Sequence, residues 1–177
     1  FWESVRMRRM PSPARKLLNL LAAASLVLLV GACSPPEDRA AEFVARAQKL
    51  YDAGDLTGAA LEARNAAQIQ PKNAEARFLL ALVAERQGNL QEAIGSLLVA
   101  VDADPKNQKV QLKLGTLLFF AGAYEEAGKH AEAAAALTPD DAAVMLLQAR
   151  LLLQKKDYEA GLARLDAVID RDPGNLD

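Results

Sequence analysis

The chain has 177 residues, of which 25% are charged, and it carries a formal net charge of −2 with one histidine and one cysteine. An acidic chain is a poor ligand for nucleic acids, because that affinity depends on neutralising phosphates. One cysteine excludes a disulfide within the chain, so stability must come from packed apolar surface.

Residues 1–32 have the layout of a bacterial secretory signal peptide. A fourteen-residue apolar run, Leu17–Val30, follows five basic residues: Arg6, Arg8, Arg9, Arg15 and Lys16. The run is shorter than the roughly 20 residues that a membrane-spanning helix needs, and small residues follow it. Residues 1–6 precede Met7 and are interpreted as an artefact of the chosen start site.

The segment Val30-Gly31-Ala32-Cys33 resembles the lipobox of bacterial lipoproteins. The resemblance implies that the Cys33 thiol receives diacylglycerol, that the preceding peptide is cleaved, and that the new amino group is acylated. Two or three acyl chains would anchor the protein firmly to a bilayer, since one chain binds only marginally. The alternative is a structural cysteine within a signal anchor. No other cofactor is predicted.

Residues 33–39 are predicted to be a short lipidated tether between the membrane and the folded part, stiffened by Pro35 and Pro36. The lipoprotein resemblance implies that the protein is lipid-anchored to the cell membrane and faces the periplasm. Ser34 stands where an aspartate would favour retention in the inner membrane, which leaves the outer membrane open. Beyond the signal, 16 basic and 22 acidic residues give a net charge of −6.

An internal repeat of 34 residues occupies most of the remaining chain. Pro71, Pro105, Pro139 and Pro173 mark the period, and a second phased set lies seventeen residues before them: Gly54, Gly88, Gly122 and Lys156. The pattern resembles the tetratricopeptide repeat (TPR), a helix–turn–helix unit that stacks into a solenoid. The predicted fold is therefore an all-α TPR solenoid of four repeats, at 40–73, 74–107, 108–141 and 142–175.

Each repeat is expected to hold two helices, such as 74–87 and 90–102, with a left-handed glycine between them. Small residues recur where the two helices approach closely: Ala47, Ala81, Gly115 and Ala149. Two positions within the 34-residue repeat depart from the family pattern. Lys156 replaces the turn glycine, which predicts a different or looser fourth turn, and Arg77, Gln111 and Met145 replace an early aromatic residue that only Phe43 retains.

The TPR resemblance implies a concave groove lined by the first helix of each repeat. Transferred position by position, it predicts eleven principal groove residues: Phe78, Leu82, Arg86, Lys109, Leu112, Thr116, Phe119, Phe120, Leu146, Arg150 and Leu153. Val44, Gln48, Tyr51, Glu75, Glu85 and Gln154 occupy the same family positions. The expected partner is a protein or peptide with apolar anchors, and the basic residues meet acidic groups on it. Phe119 and Phe120 could instead pack against Leu153 and neighbouring repeats.

No catalytic, metal-binding or phosphate-binding motif is recognisable, and His130 is predicted to be a solvated helix residue. The sequence therefore predicts a membrane-anchored adaptor of the cell envelope that is not an enzyme and has no nucleic-acid or small-molecule ligand. The amino-acid sequence of its repeats, such as Gly54-Asp55-Leu56, is similar to that of TPR lipoproteins associated with exopolysaccharide export and exosortase sorting. Pilus-assembly and outer-membrane-assembly TPR lipoproteins share the layout. The alternative is the recognition arm of a longer envelope enzyme, because residues 176–177 are interpreted as the start of a continuation.

Overall fold

The computed structural model describes residues 35–171, which form eight α-helices and no strand. In chain order the helices are α1 (Pro36–Asp52), α2 (Leu56–Ile69), α3 (Ala74–Arg86), α4 (Leu90–Ala103), α5 (Gln108–Phe120), α6 (Tyr124–Leu137), α7 (Ala142–Gln154) and α8 (Tyr158–Arg171). The predicted all-α solenoid is confirmed. The predictions for the signal peptide, Cys33, Ser34 and residues 176–177 lie outside the described residues.

The helices form four antiparallel pairs, and each pair stacks on the next. The first helix of each repeat packs on its own second helix, and that second helix packs on the first helix of the following repeat. First helices also contact each other, α1 with α3 and α5 with α7, whereas the second helices have no comparable contact within residues 35–171. The array therefore curves with its first helices on the concave face.

Small residues allow the close approach of paired helices, as the sequence predicts. Ala47, Ala81 and Ala149 are at most 1% exposed. A Cβ atom on Gly115 would lie 3.0 Å from Cδ2 of Leu147 and 3.2 Å from the backbone oxygen of Ala127. Gly115 is therefore required by packing, since both neighbouring helices already occupy the space that a side chain would need.

All four turns within the repeats have the same geometry, including the one without glycine. Lys156 has a φ of 65°, in the same left-handed region as Gly88 at 78°. Its amide donates to the Leu153 carbonyl at 3.0 Å and the Asp157 amide donates to the Leu152 carbonyl at 3.0 Å, the Schellman pattern of a helix end. The expectation of a different or looser fourth turn is therefore wrong, because the hydrogen bonds of the turn impose the left-handed conformation on lysine.

The first helices of the second to fourth repeats begin at side-chain caps two residues after a proline. The Asn73 side chain accepts from the Ala76 amide at 2.9 Å, Asn107 accepts from Val110 at 3.3 Å, and Asp141 accepts from Ala143 at 2.9 Å. Each cap satisfies an amide that the helix leaves unpaired. This Pro-x-Asn/Asp segment fixes where each repeat begins.

The first helix begins four residues earlier than the predicted first repeat at residue 40. Residues 36–39, expected to belong to the tether, form the first turn of α1. Pro36 suits the first helical position, where its missing amide would have no partner, and Glu37 and Asp38 lie at the positive end of the helix dipole. Pro36, one of the two prolines that predict a tether, therefore starts a helix instead.

Candidate partner-binding groove

A pocket of about 360 Å³ opens on the concave face between α3, α5 and α7. This concave pocket is lined by Phe78, Lys109, Leu112, Lys113, Thr116, Ala143, Leu146, Leu147 and Arg150. The structure therefore brings together six of the eleven predicted groove residues in one cavity: Phe78, Lys109, Leu112, Thr116, Leu146 and Arg150. Contact of these residues with a partner stays a prediction.

The pocket combines an apolar wall with two available cations. Phe78, Leu112 and Leu146 are all partly exposed to it. The ammonium of Lys113 lies 3.0 Å from a carboxylate oxygen of Glu85 and is thereby neutralised. Lys109 and Arg150, by contrast, form no salt bridge within residues 35–171. They can therefore receive acidic groups from outside the chain.

The remaining polar group of the pocket is already satisfied. The Thr116 hydroxyl donates to the carbonyl oxygen of Leu112 at 2.8 Å. This bond is internal to α5 and directs the hydroxyl hydrogen toward the helix backbone. The polar recognition that the pocket offers therefore rests on its cations.

Leu82 and Arg86 lie outside the concave pocket and are engaged within the chain. Leu82 packs against the core formed by the first repeat and α3. The Arg86 guanidinium lies 4.2 Å from the centre of the Tyr51 ring and donates to the Tyr51 carbonyl at 3.4 Å. Val44, transferred to the groove by family position, is only 5% exposed, and its assignment to the groove surface is wrong because it belongs to the core.

Three predicted groove residues at the end of the first helices also lie outside the pocket. Phe119 packs against the core of the last two repeats and makes an edge-to-face contact with Tyr124 at 5.4 Å. Leu153 lies over Gly161, where a Cβ atom would come within 2.7 Å of Leu153 Cδ2. Phe120 alone is exposed, at 65%, and it remains available to a partner.

His130 is not the solvated helix residue that the sequence predicts. It is half-buried, and its Nδ1 lies 2.7 Å from Oε1 of Gln111, which is only 4% exposed. Because Nε2 of Gln111 donates to the Pro105 carbonyl at 2.8 Å, its oxygen must accept, so His130 carries its proton on Nδ1. Burial lowers the pKa of His130 below its usual range. The network holds α5 against α6.

Two of the three residues that replace the family aromatic, Arg77 and Gln111, share one contact that sequence reasoning missed. Nε of Arg77 donates to the Pro71 carbonyl at 3.0 Å, as Gln111 donates to that of Pro105. Both residues thereby satisfy the carbonyl of the proline six positions earlier. The recurring six-residue separation in the sequence is the signal that could have found them.

A second pocket of about 200 Å³ lies between α6, α7 and α8. Gly128 and Ala131 line it, at the positions where α4 carries Ile94 and Leu97. The pocket exists because these two large side chains are missing one repeat later.

In the part of the chain that the structure describes, no helix has the length and apolar character to cross a membrane.

The tetratricopeptide repeat family matches the chain at residues 44–108, 87–151 and 118–177. The chain therefore belongs to this family, which in general provides non-catalytic scaffolds that bind proteins or peptides. No curated protein matches the chain in sequence.

Several solved structures share the fold. An O-GlcNAc transferase mutant from Thermobaculum terrenum is 25% identical with a TM-score of 0.61, and the match covers 68% of this chain but only 23% of the transferase. Pseudomonas aeruginosa pilF is 20% identical with a TM-score of 0.71, covering 79% of this chain and 64% of that one. MamA from Desulfovibrio magneticus RS-1 is 20% identical with a TM-score of 0.69, covering 77% of both chains.

Proposed function

We propose that this chain is a lipid-anchored adaptor that holds a segment of a partner protein in its concave pocket. The observation that carries the proposal is the pocket itself, where a wall of Phe78, Leu112 and Leu146 stands beside Lys109 and Arg150. The matching segment has apolar side chains that enter the cavity and acidic groups that pair with the two cations.

The electrostatics of the chain support this partner chemistry. The sequence after residue 32 carries a net charge of −6, yet the concave pocket offers two cations that form no ion pair among the described residues. The acidic surface elsewhere on the chain repels an acidic segment, whereas the two cations attract it. Such a segment is therefore directed to the concave pocket. Catalysis forms no part of this function.

The anchor of the proposal is Cys33, which carries diacylglycerol and an amide-linked acyl chain. The lipobox resemblance supports it, as does the basic and apolar segment that precedes it. The solenoid then faces the periplasm from the bacterial cell membrane, with Ser34 leaving delivery to the outer membrane open. The resemblance of its repeat sequence to envelope TPR lipoproteins supports a role for the adaptor in assembly or export of an envelope component such as exopolysaccharide.

Radioactive palmitate supplied to growing cells tests the anchor. Cys33→Ala is expected to leave a longer, unlabelled precursor, because both cleavage and acylation depend on the thiol. Label that enters the variant at the level of the parent chain would contradict the proposed anchor.

Affinity capture from native membranes tests the pocket. We expect a partner that the parent chain captures to be lost with Leu112→Glu combined with Leu146→Glu, since both place charge on the apolar wall. The matched control is Leu98→Glu, because Leu98 is 51% exposed on α4 and lies outside the pocket. Equal capture by all three proteins would contradict the assignment of the pocket, provided that the variants melt like the parent.

A second candidate function is the recognition arm of a longer enzyme. The match to the transferase favours it, because this chain spans 23% of that enzyme. The gene sequence beyond codon 177 decides between the two: a following domain with catalytic motifs supports the enzyme, and further repeats or a stop codon support the adaptor.

A further inference from the structure

The second pocket, between α6, α7 and α8, has an apolar floor. Its volume is about 200 Å³, and an apolar cavity of roughly 150 Å³ is enough to hold benzene. Ala131 is 1% exposed and Leu151 7%, and Leu152 beside them is half-buried. A Cβ atom on Gly128 would meet nothing within 4 Å, so the space beside α6 is open. The floor therefore has room for one ring or a short branched chain.

The polar side chains of the second pocket are specific to this point of the array. Three of them are Gln148, Lys155 and Arg164. The residues 34 positions earlier are Leu114, Ala121 and His130, and the residues 68 positions earlier are Leu80, Gln87 and Ser96. Small residues alone do not distinguish the site, because α2 carries Ala60 and Ala63 where α6 carries Gly128 and Ala131. The lysine and the arginine do, since neither earlier repeat has one at these positions.

These polar groups are not used within the part of the chain that the structure describes. Lys155 and Arg164 form no salt bridge within residues 35–171, and Gln148 forms no side-chain hydrogen bond there. Glu132 is the acidic lining residue, so two cations face one carboxylate and the lining has a net charge of +1. A single carboxylate from outside is therefore attracted, whereas a second one would be opposed by Glu132.

The distribution of apolar surface favours a small ligand over a protein surface. Glu132, Lys155 and Arg164 are exposed, whereas Ala131 and Leu151 are buried in the floor. A stable protein interface needs about 1,200 Å² or more with an apolar centre, and here the exposed lining side chains are charged. A compact ligand that fills the floor and carries one carboxylate satisfies both features.

We propose that the second pocket binds a small monocarboxylic acid. Its apolar body, about as large as a benzene ring, lies against Ala131 and Leu151, and its carboxylate pairs with Lys155 and Arg164. The Gln148 amide supplies a further donor. The sequence prediction of no small-molecule ligand rests on motifs, and a cavity left by missing side chains has no motif. The second pocket shares no lining residue with the concave pocket, so the two proposals can fail separately.

Equilibrium dialysis tests the charge preference, with the full chain in detergent micelles and empty micelles as the blank. The radiolabelled probes are phenylpropionate and phenylethylamine, which share a ring and a two-carbon linker and differ in charge. We expect the acid to bind about tenfold more tightly, since two exposed ion pairs contribute roughly that much together. Lys155→Gln combined with Arg164→Gln should abolish the difference. Lys106→Gln, at an exposed lysine outside the pocket, should leave it unchanged.

A matched pair of glycine variants locates the binding. Gly128→Leu is expected to abolish uptake of phenylpropionate, because the new side chain fills the cavity. Gly95→Leu should have no effect, since Gly95 also lies in a helix with nothing within 4 Å of its Cβ position but is outside the pocket. Leu112→Glu, in the concave pocket, should have no effect either. Thermal melts check that the variants remain folded.

The same ligand chemistry occurs at the end of a protein chain, where a C-terminal phenylalanine combines a ring with a carboxylate. A pentapeptide of four glycines and a final phenylalanine is expected to bind no more tightly than phenylpropionate. Tighter binding of the peptide would overturn the proposal by assigning the pocket to the C-terminus of a protein. No uptake above empty micelles, equal affinity for acid and amine, or undiminished uptake by Gly128→Leu would each overturn it as well.

Discussion

Lys156 shows that a single residue can occupy a glycine position when its surroundings dictate the backbone. Its φ of 65° and its hydrogen bond to Leu153 match those of the glycine turns. The sequence alone predicts a weak turn here, because it shows the substitution but not the bonds that compensate for it.

We expect Lys156→Gly to stabilise the chain by about 1 kcal/mol. A non-glycine residue in the left-handed region costs about 1–2 kcal/mol, which the substitution removes. Glycine also increases the conformational entropy of the unfolded chain, and this offsets part of the gain. Thermal unfolding followed by circular dichroism measures the change. Lys155→Gly is the matched control: its φ of −75° is helical, so it should destabilise. A lower melting temperature for Lys156→Gly than for the parent chain would contradict this account of the turn.

His130 is a second residue whose role only the structure reveals, because its partner Gln111 lies 19 positions away. Burial lowers its pKa in the folded chain below the usual 6.5, so the unfolded chain takes up a proton first as the pH falls. Stability from this group is therefore present above about pH 6.5 and declines below it.

Urea unfolding at about pH 7.5 and about pH 5.5 measures this dependence. The parent chain is expected to lose more stability on acidification than His130→Gln, which cannot titrate. Because carboxylates titrate in both proteins, the comparison uses the difference between the two losses. Equal losses in both proteins would exclude a buried, neutral His130.

At the scale of helices, the period of 34 residues is sufficient to predict the helix pairs, the positions of their turns and the small residues between them. The start of α1 was missed, because Pro36 favours both a tether and a first helical turn. The concave pocket was predicted in part: family positions identify Lys109, Leu112 and Arg150, but they cannot show that Phe119 turns into the core.

Gly115 tests the packing of a helix pair. Gly115→Ala is expected to destabilise by about 1–3 kcal/mol, because its Cβ would lie 3.0 Å from a Leu147 methyl group and 3.2 Å from a backbone oxygen. Gly115→Leu should abolish cooperative unfolding.

The control for this test is Gly95→Ala on α4, where a Cβ meets nothing within 4 Å. It should stabilise by about 0.5–1 kcal/mol, since alanine is the better helix former. Thermal melts that rank the two alanine variants in the opposite order would contradict the packing described for α5.

At the scale of the whole molecule, three surfaces of different character are arranged along one repeat array. The outer side of α1 is polar, the exposed side of α8 carries Tyr158, Leu162 and Ile169, and the concave pocket is apolar with two cations. A repeated unit of one backbone thus presents distinct binding chemistry at each position, because the surface residues differ between repeats.

The central claim, that the concave pocket is the partner-binding surface, is tested most directly by photo-crosslinking in living cells. A benzoyl-phenylalanine at position 112 is expected to give a specific adduct that disappears when Lys109→Glu and Arg150→Glu are added, while the same probe at position 98 gives none. No adduct at 112 beyond that at 98, or an adduct that survives reversal of both charges, would contradict the account.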